Sequence, residues 1–279
     1  MEHLYMSDIC RTIWRVPAYL PYLQPELTAD AIAEAEKAIG FTLPVEYLDL
    51  LRVQNGGYIR LSLPQMSHHK ISGIGPHFSS LTDFDWSDCQ EYVSFPLTGL
   101  VPFDGDGHWH LCLDYRKNSS NPAITYIDVE CDDESPIAPS FKEYLTMLRI
   151  EVKDEMILHP VEDIETVKQQ LSSRLGVNFD TTDTWAHGYP IERASLGRPS
   201  NPQWLWLSPN CVPRGFIRVD DERYNELRDV MPGNALRYPE VPANAYLMSV
   251  TDDVRNKVLE ACKSCQFTIQ PLADVVKSV

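Results

Sequence analysis

The stretch Leu100-Val101-Pro102-Phe103-Asp104-Gly105-Asp106-Gly107-His108-Trp109-His110-Leu111-Cys112-Leu113-Asp114-Tyr115 decides the fold. Trp109, Leu111, Leu113 and Tyr115 recur at every second position, the period of a strand with one buried face. Asp104-Gly105-Asp106-Gly107 is turn chemistry, so residues 100–103 and 108–115 read as a hairpin. A second turn signal, Asn118-Ser119-Ser120-Asn121-Pro122, leads to a third apolar run over residues 124–129. Connections this short join antiparallel neighbours, and the reading is an antiparallel meander.

Upstream, Thr28 is a helix cap for residues 29–39, where Ile32, Ala35 and Ile39 form one stripe and Gly40 ends the helix. Pro44 opens a second helix reaching about Gln54, with Tyr47, Leu50 and Leu51 inward. Asn55-Gly56-Gly57 stops it, because these residues accept positive φ at little cost, and a strand over 58–63 follows. Residues 64–99 mix proline, glycine, histidine and acidic residues and read as a long covering loop with a short helix. Downstream, Ser140 and Glu143 have the spacing of a capping box before a helix carrying Phe141, Tyr144, Leu145 and Leu148. Helices, then strands, then a helix make an α+β unit with a mainly antiparallel central sheet flanked by helices, not an alternating βαβ one.

The second half reads as a smaller α+β sandwich. Helices are expected over 161–175 and 252–265, with a further one carrying Tyr224, Leu227 and Met231. Strands are expected over 204–207, 216–219, 246–250 and 267–270, and residues 178–203 read as irregular. The weakly patterned acidic stretch near 150–160 places the boundary, giving domains 1–152 and 153–279.

The 279 residues carry 24 Lys+Arg against 40 Asp+Glu, a formal charge of -16. Residues 1–150 hold 10 basic and 21 acidic residues, and residues 151–279 hold 14 and 19. Such a chain repels phosphate backbones and attracts basic proteins, so a nucleic-acid partner is not expected. No run approaches the about 20 apolar residues of a membrane span. MEHLYMSDIC has no basic segment followed by an apolar one, so no signal peptide is expected. The seven scattered cysteines do not form a disulfide framework. The expectation is a protein of the cytoplasm with reduced thiols and no cofactor or metal.

Three blocks of the first half resemble the SUKH superfamily in its Smi/Knr form, over about residues 15–150. The first is Ala38-Ile39-Gly40-Phe41-Thr42-Leu43-Pro44 with Glu46-Tyr47 and Asn55-Gly56-Gly57. The second runs from Leu100 to Asp114. The third joins strand 124–129, an acidic turn and the helix of Phe141 and Leu145. The resemblance implies the same α+β architecture and a binding module. Most bacterial members look like immunity proteins that neutralise secreted toxins, often nucleases, and fungal relatives are cell-wall assembly regulators. It implies no catalytic residue set. Gly40, Pro44, Asn55, Gly56, Gly57, Gly105 and Gly107 are expected to serve helix ends and turns.

His108, His110, Cys112 and Asp114 share one strand face and, with Asp104 and Asp106, could gather metal ligands. No second ligand set supports this, so the expected role is an acidic turn whose strand face is solvated or meets a partner. Cys262 and Cys265 form a lone C-x-x-C on an apolar helix stripe and read as core residues. His68, His69 and His77 lie in a loop without any hydrolase motif around them. Asp83, Asp85 and Asp88 surround Phe84 and Trp86, and Asp132, Asp133 and Glu134 form a second acidic knot. An aromatic anchor ringed by carboxylates suits a basic protein, so these residues, with Asp104 and Asp106, are the expected partner surface; a solubilising loop with Trp86 turned to the core is the plainer alternative. The expected function is toxin neutralisation by direct occlusion. The alternatives are a regulatory interaction module without a toxin, and an enzyme housed in the second half.

Overall fold

In a computed structural model, described here for residues 9–152 and 154–276, the chain divides into two compact units, up to Ile150 and from Glu151. In the first, helix α1 (Ala29–Ile39) is capped by the Thr28 hydroxyl, which accepts from the Ala31 N–H at 3.1 Å. It closes on Gly40 at φ 80°. Helix α2 (Val45–Val53) starts behind Pro44 and buries Tyr47, Leu50 and Leu51. Apolar residues at helical spacing on two consecutive helices form one wall of the core.

The meander forms as the alternation requires. Strands β1 (Leu100–Gly105), β2 (Trp109–Asp114), β3 (Ala123–Asp128) and β4 (Asp133–Ala138) pair in that order, all antiparallel. Helix α3 (Phe141–Met147) follows, with the Ser140 hydroxyl accepting from the Glu143 N–H. Leu111, Leu113, Val101 and Ile124 face a core completed by Tyr47, Leu50, Phe141, Tyr144 and Leu145, all buried. Each such leucine removed from water contributes about 1.5–3 kcal/mol, so the sheet's period directly sets the position of the helices.

Three expectations change here. The strand over 58–63 is broken: Gly57–Tyr58 pairs with Lys70–Ile71, and Leu61–Ser62 pairs with Arg149–Ile150. Two different partners cannot be met without a kink, and Arg60 turns away to bond the Ile13 carbonyl at 2.7 Å. Secondly, β1 runs through Asp104 and Gly105, so the turn is confined to residues 106–108. Gly105 is needed for space: a Cβ there would lie 2.5 Å from the Trp109 carbonyl oxygen and 2.6 Å from His110 Nδ1. Thirdly, the His110–Cys112 side of the sheet is not solvated. Val93, Phe95 and Leu97 of the covering loop bury Leu100, Cys112, Ile127 and Val129 against it.

The second unit is built on a five-stranded antiparallel sheet. Its strands are β5 (Met156–His159), β6 (Glu192–Ser195), β7 (Trp204–Pro209), β8 (Tyr246–Val250) and β9 (Thr268–Pro271), in the order β6-β7-β8-β5-β9. Helix α4 (Ile164–Leu175) follows β5 and helix α5 (Asp252–Ser264) follows β8. Val167 and Leu171 of α4 and Val258 and Cys262 of α5 pack on Leu158, Leu205, Leu207 and Met248. Apart from edge strand β6 and the β7–β8 connection, in which Cys211–Pro213 pairs with Asn234–Leu236, this is a βαββαβ chain with the order 4-1-3-2, the split βαβ arrangement of ferredoxin-like folds. Residues 178–203 are thus not wholly irregular. Helix α4 starts later than residue 161 because the Asp163 carboxylate accepts from the Glu165 and Thr166 N–H groups. The expected strand over 216–219 shrinks to Gly215–Phe216, with Val219 exposed, and the expected helix through Met231 to Tyr224–Leu227.

Candidate partner-binding surface

The residues expected at the partner surface occupy three different settings. Asp104 is the clearest correction, because it is 5% exposed. The register slips between Pro102 and Asp104, and this bulge turns the carboxylate inward. Its Oδ2 accepts from the His69 and Lys70 N–H groups, both at 3.2 Å, and its Oδ1 from the Gly105 N–H at 2.8 Å. His68 Nδ1 lies 2.7 Å from Oδ2, and His68 Nε2 contacts the Tyr144 hydroxyl. Every group is satisfied when Nδ1–H donates to Asp104 and the Tyr144 hydroxyl donates to Nε2. Burial, then the Asp104 charge, holds the Tyr144 phenol well above its ordinary value. A Tyr–His–Asp chain resembles catalytic machinery, yet His68 and Tyr144 are both 0% exposed. Closed to any substrate, it fastens the loop before Lys70 to β1 and α3.

The covering loop is the second setting. Asp83, Asp85 and Asp88 are exposed, but Trp86 is an internal anchor. Its indole N–H donates to the Leu100 carbonyl at 2.9 Å, and its ring meets His110 edge-on at 5.1 Å. Of the two readings of that loop, the structure favours the core-directed tryptophan. Asp85 accepts from the Ser87 N–H at 2.8 Å, which holds its carboxyl below the usual range. Farther on, Asp132 accepts from the Ser94 N–H at 2.6 Å and ties the loop to the β3–β4 turn. Glu134 is engaged by Arg116 at 2.7 Å, while the same guanidinium grips both oxygens of Asp114 at 2.9 and 2.8 Å.

The third setting is the open end of the sheet. In a meander alternate turns fall at the same end, so the β1–β2 and β3–β4 turns lie side by side. Trp109 pairs with Asp128, Asp128 with Asp133, and the Val129 N–H donates to the His108 carbonyl at 2.8 Å. Asp106, Asp128, Glu130, Asp132 and Asp133 are thereby gathered on one rim. Two of them shape turns: Asp106 accepts from the His108 and Trp109 N–H groups, and Asp128 from those of Glu130 and Cys131. The half-buried rings of Trp109 and Tyr126 stack at 6.0 Å on the adjoining face. The rim's charge is felt locally. Asp128 foremost raises the Cys131 thiol, and burial followed by Asp128 raises the Tyr126 phenol. His108 Nδ1 lies 2.7 Å from Glu130, and the aromatic faces beside the remaining carboxylates form a place for a cationic side chain.

Asp128, Glu130, Trp109 and Tyr126 were missed as surface residues by pattern reading. The signal that could have found them is topological: once a meander is assigned, its odd-numbered turns must be neighbours. Metal chemistry gains no support: among the described residues no group of three His, Cys, Asp or Glu side chains is arranged to hold an ion. Burial drives the Cys112 thiol well above its ordinary value and the Cys262 thiol to about 11, as befits core residues. All seven cysteines are free thiols. Among the described residues no helix is long and apolar enough to cross a membrane.

Residues 26–147, within the first unit, match the model of the SMI1 / KNR4 family (SUKH-1). The match takes in α1, α2, the whole meander and α3. No curated protein matches the chain.

Proposed function

We propose that this is a cytoplasmic binding protein of the immunity type, which neutralises a basic toxin by direct association and needs no catalytic residue of its own. One observation carries the reading: the open end of the SUKH-1-matched sheet collects five carboxylates, of which Asp106, Asp128 and Asp133 are felt by the Tyr126 phenol in the stacked Trp109–Tyr126 pair. A positively charged active site, such as a nuclease needs for its substrate, is complementary to that rim, and occlusion would follow from docking alone. A regulatory interaction module without a toxin is the second reading, supported by the family's cell-wall regulators.

Co-purification from the native host, with mass spectrometry of what stays bound, identifies the partner. Its association kinetics are then measured against the triple variant Asp106→Lys, Asp128→Lys, Asp133→Lys. A fall in association rate of at least about tenfold is expected if the rim steers capture. Unchanged kinetics in a folded variant would remove the rim from recognition, and a captured partner without toxic activity would favour the regulatory reading.

A further inference from the structure

In a chain with 40 acidic residues, residues 9–25 and 55–82 contain none. The fold brings these two stretches together. Trp14 bridges to Ile59, the Arg15 N–H donates to the Tyr58 carbonyl at 3.0 Å, and the Gln24 N–H donates to the Asn55 carbonyl at 2.9 Å. Neither stretch contributes a carboxylate to the surface they share, and Arg11, Arg15 and His69 on them are exposed.

This face presents an aromatic side chain on a rigid mount. Phe78 is 60% exposed. The two legs of its loop are bonded to each other, Gly73 N–H to the Ser79 carbonyl at 3.3 Å and Leu81 N–H to the Gly73 carbonyl at 2.8 Å. Two buried amides grip the same loop. Asn55 accepts from the Ile74 N–H at 2.8 Å and donates to the Ile74 carbonyl at 2.9 Å. Gln24 accepts from the His77 N–H at 2.9 Å and donates to the His77 and Ser79 carbonyls. Both amide residues are 7% exposed. Around Phe78 stand the half-buried rings of Tyr22, 5.6 Å away, and Tyr58, 5.1 Å beyond Tyr22. The Lys70 ammonium supports the Phe78 ring at 5.3 Å, and the Arg15 guanidinium lies 6.0 Å from the Tyr58 ring. An exposed phenylalanine held by buried hydrogen bonds loses little entropy on docking, which is what a binding anchor requires.

We infer that the Phe78–Tyr22–Tyr58 face is a second docking surface, and that it takes an acidic polypeptide segment carrying an aromatic or aliphatic side chain. The apolar side chain seats on the three rings, and the segment's carboxylates meet Arg15 and His69. Charge complementarity selects this occupant: the two stretches supply no carboxylate that would repel it, and their exposed arginines are cationic. The inference does not depend on the toxin reading.

The test is a phage-displayed dodecapeptide library panned on the full chain. The net charge of -16 alone would favour basic peptides, so the two explanations give opposite enrichments. The expected result is a class rich in Asp and Glu with Phe, Trp or Leu. Its synthetic members should bind at least about tenfold more weakly to Phe78→Ala and to Arg15→Glu, and no more weakly to the rim triple variant. Phe78 is largely in water, so Phe78→Ala should leave thermal unfolding unaltered, separating lost binding from lost fold. Enrichment of basic peptides alone, or acidic peptides indifferent to Phe78→Ala, would overturn the inference. Phe78-dependent self-association in sedimentation velocity would overturn the occupant, replacing it with a second copy of the chain.

Discussion

Asp104 shows how a single carboxylate can be misplaced by composition and explained by geometry. In the sequence it belongs to an Asp-Gly-Asp-Gly run that spells an exposed turn, and nothing in the run separates it from Asp106. The bulge after Pro102 gives the two aspartates opposite fates. Asp106 caps the turn from outside, whereas Asp104 becomes the acceptor for His68, His69, Lys70 and Gly105. Leaving a buried acceptor unpaired costs about 1–3 kcal/mol, more where a charge is involved. Tyr144→Phe removes only the donor to His68 Nε2 and should lower stability by about that amount. Asp104→Asn leaves the amide N–H₂ facing at least the Gly105 N–H and removes the charge that strengthens the other three bonds, so it should cost more. Urea unfolding of the full chain measures both, with the order Asp104→Asn below Tyr144→Phe below the parent at unchanged slope. Parent-like midpoints for both variants would mean that the network contributes nothing to stability.

At the scale of the element, the covering loop of residues 84–97 does the work of a missing helix layer. Its Trp86, Val93, Phe95 and Leu97 close one sheet face and keep Cys112 dry. Trp86→Ala should therefore admit reagent to Cys112. Peptide mapping after iodoacetamide treatment should find exposed Cys131 labelled in both proteins and Cys112 only in the variant; an inaccessible Cys112 in the variant would show that the loop is held without Trp86. Helix α4 offers a pH test. Hydrogen bonds from Thr166 and Glu165 lower the Asp163 carboxyl from its usual value. Its folded value thus lies below its unfolded one, so the stabilisation is complete above the unfolded value and lost as pH falls through the folded value. Asp163→Asn retains the cap but does not titrate, and its melting temperature should fall less steeply as pH drops below about 4. Equal acid limbs would deny Asp163 that role. These elements also mark where sequence was legible. Thr28, Gly40, Gly56 and the Trp109–Tyr115 alternation each act locally, and the helix ends and the meander followed from them. Strands β4 and β6 are edge strands reading DESPIA and ERAS, where half-exposure erases the alternation, and β5 is four residues in an acidic stretch. The burial of Trp86 and Asp104 depends on partners 14 and 36 residues away, beyond any local pattern.

At the scale of the whole molecule the charge of -16 is the property through which the proposed capture acts. Its distribution is uneven, since the first 150 residues hold 21 of the acidic residues and confine most of their exposed ones to the rim and the 83–91 loop. A field of this kind raises the encounter rate with a basic partner but contributes little once the complex has formed, because dissociation is governed by packed contacts. Salt separates the two effects. Screening shortens to about 10 Å at 0.1 M and about 3 Å at 1 M, so the association rate of the captured partner should fall clearly with rising salt while dissociation changes less. The triple variants divide the field into parts. Reversal to lysine of Asp106, Asp128 and Asp133 should flatten the salt dependence most, since those groups surround the stacked rings. Reversal of Asp83, Asp85 and Asp88 should act only through total charge, because Trp86 beside them is already committed to the Leu100 carbonyl. If the loop triple flattens the salt dependence more than the rim triple, recognition lies over the loop instead. An association rate that stays level across the salt series in the unmutated protein would remove electrostatic capture, and the acidic surplus would then serve solubility alone.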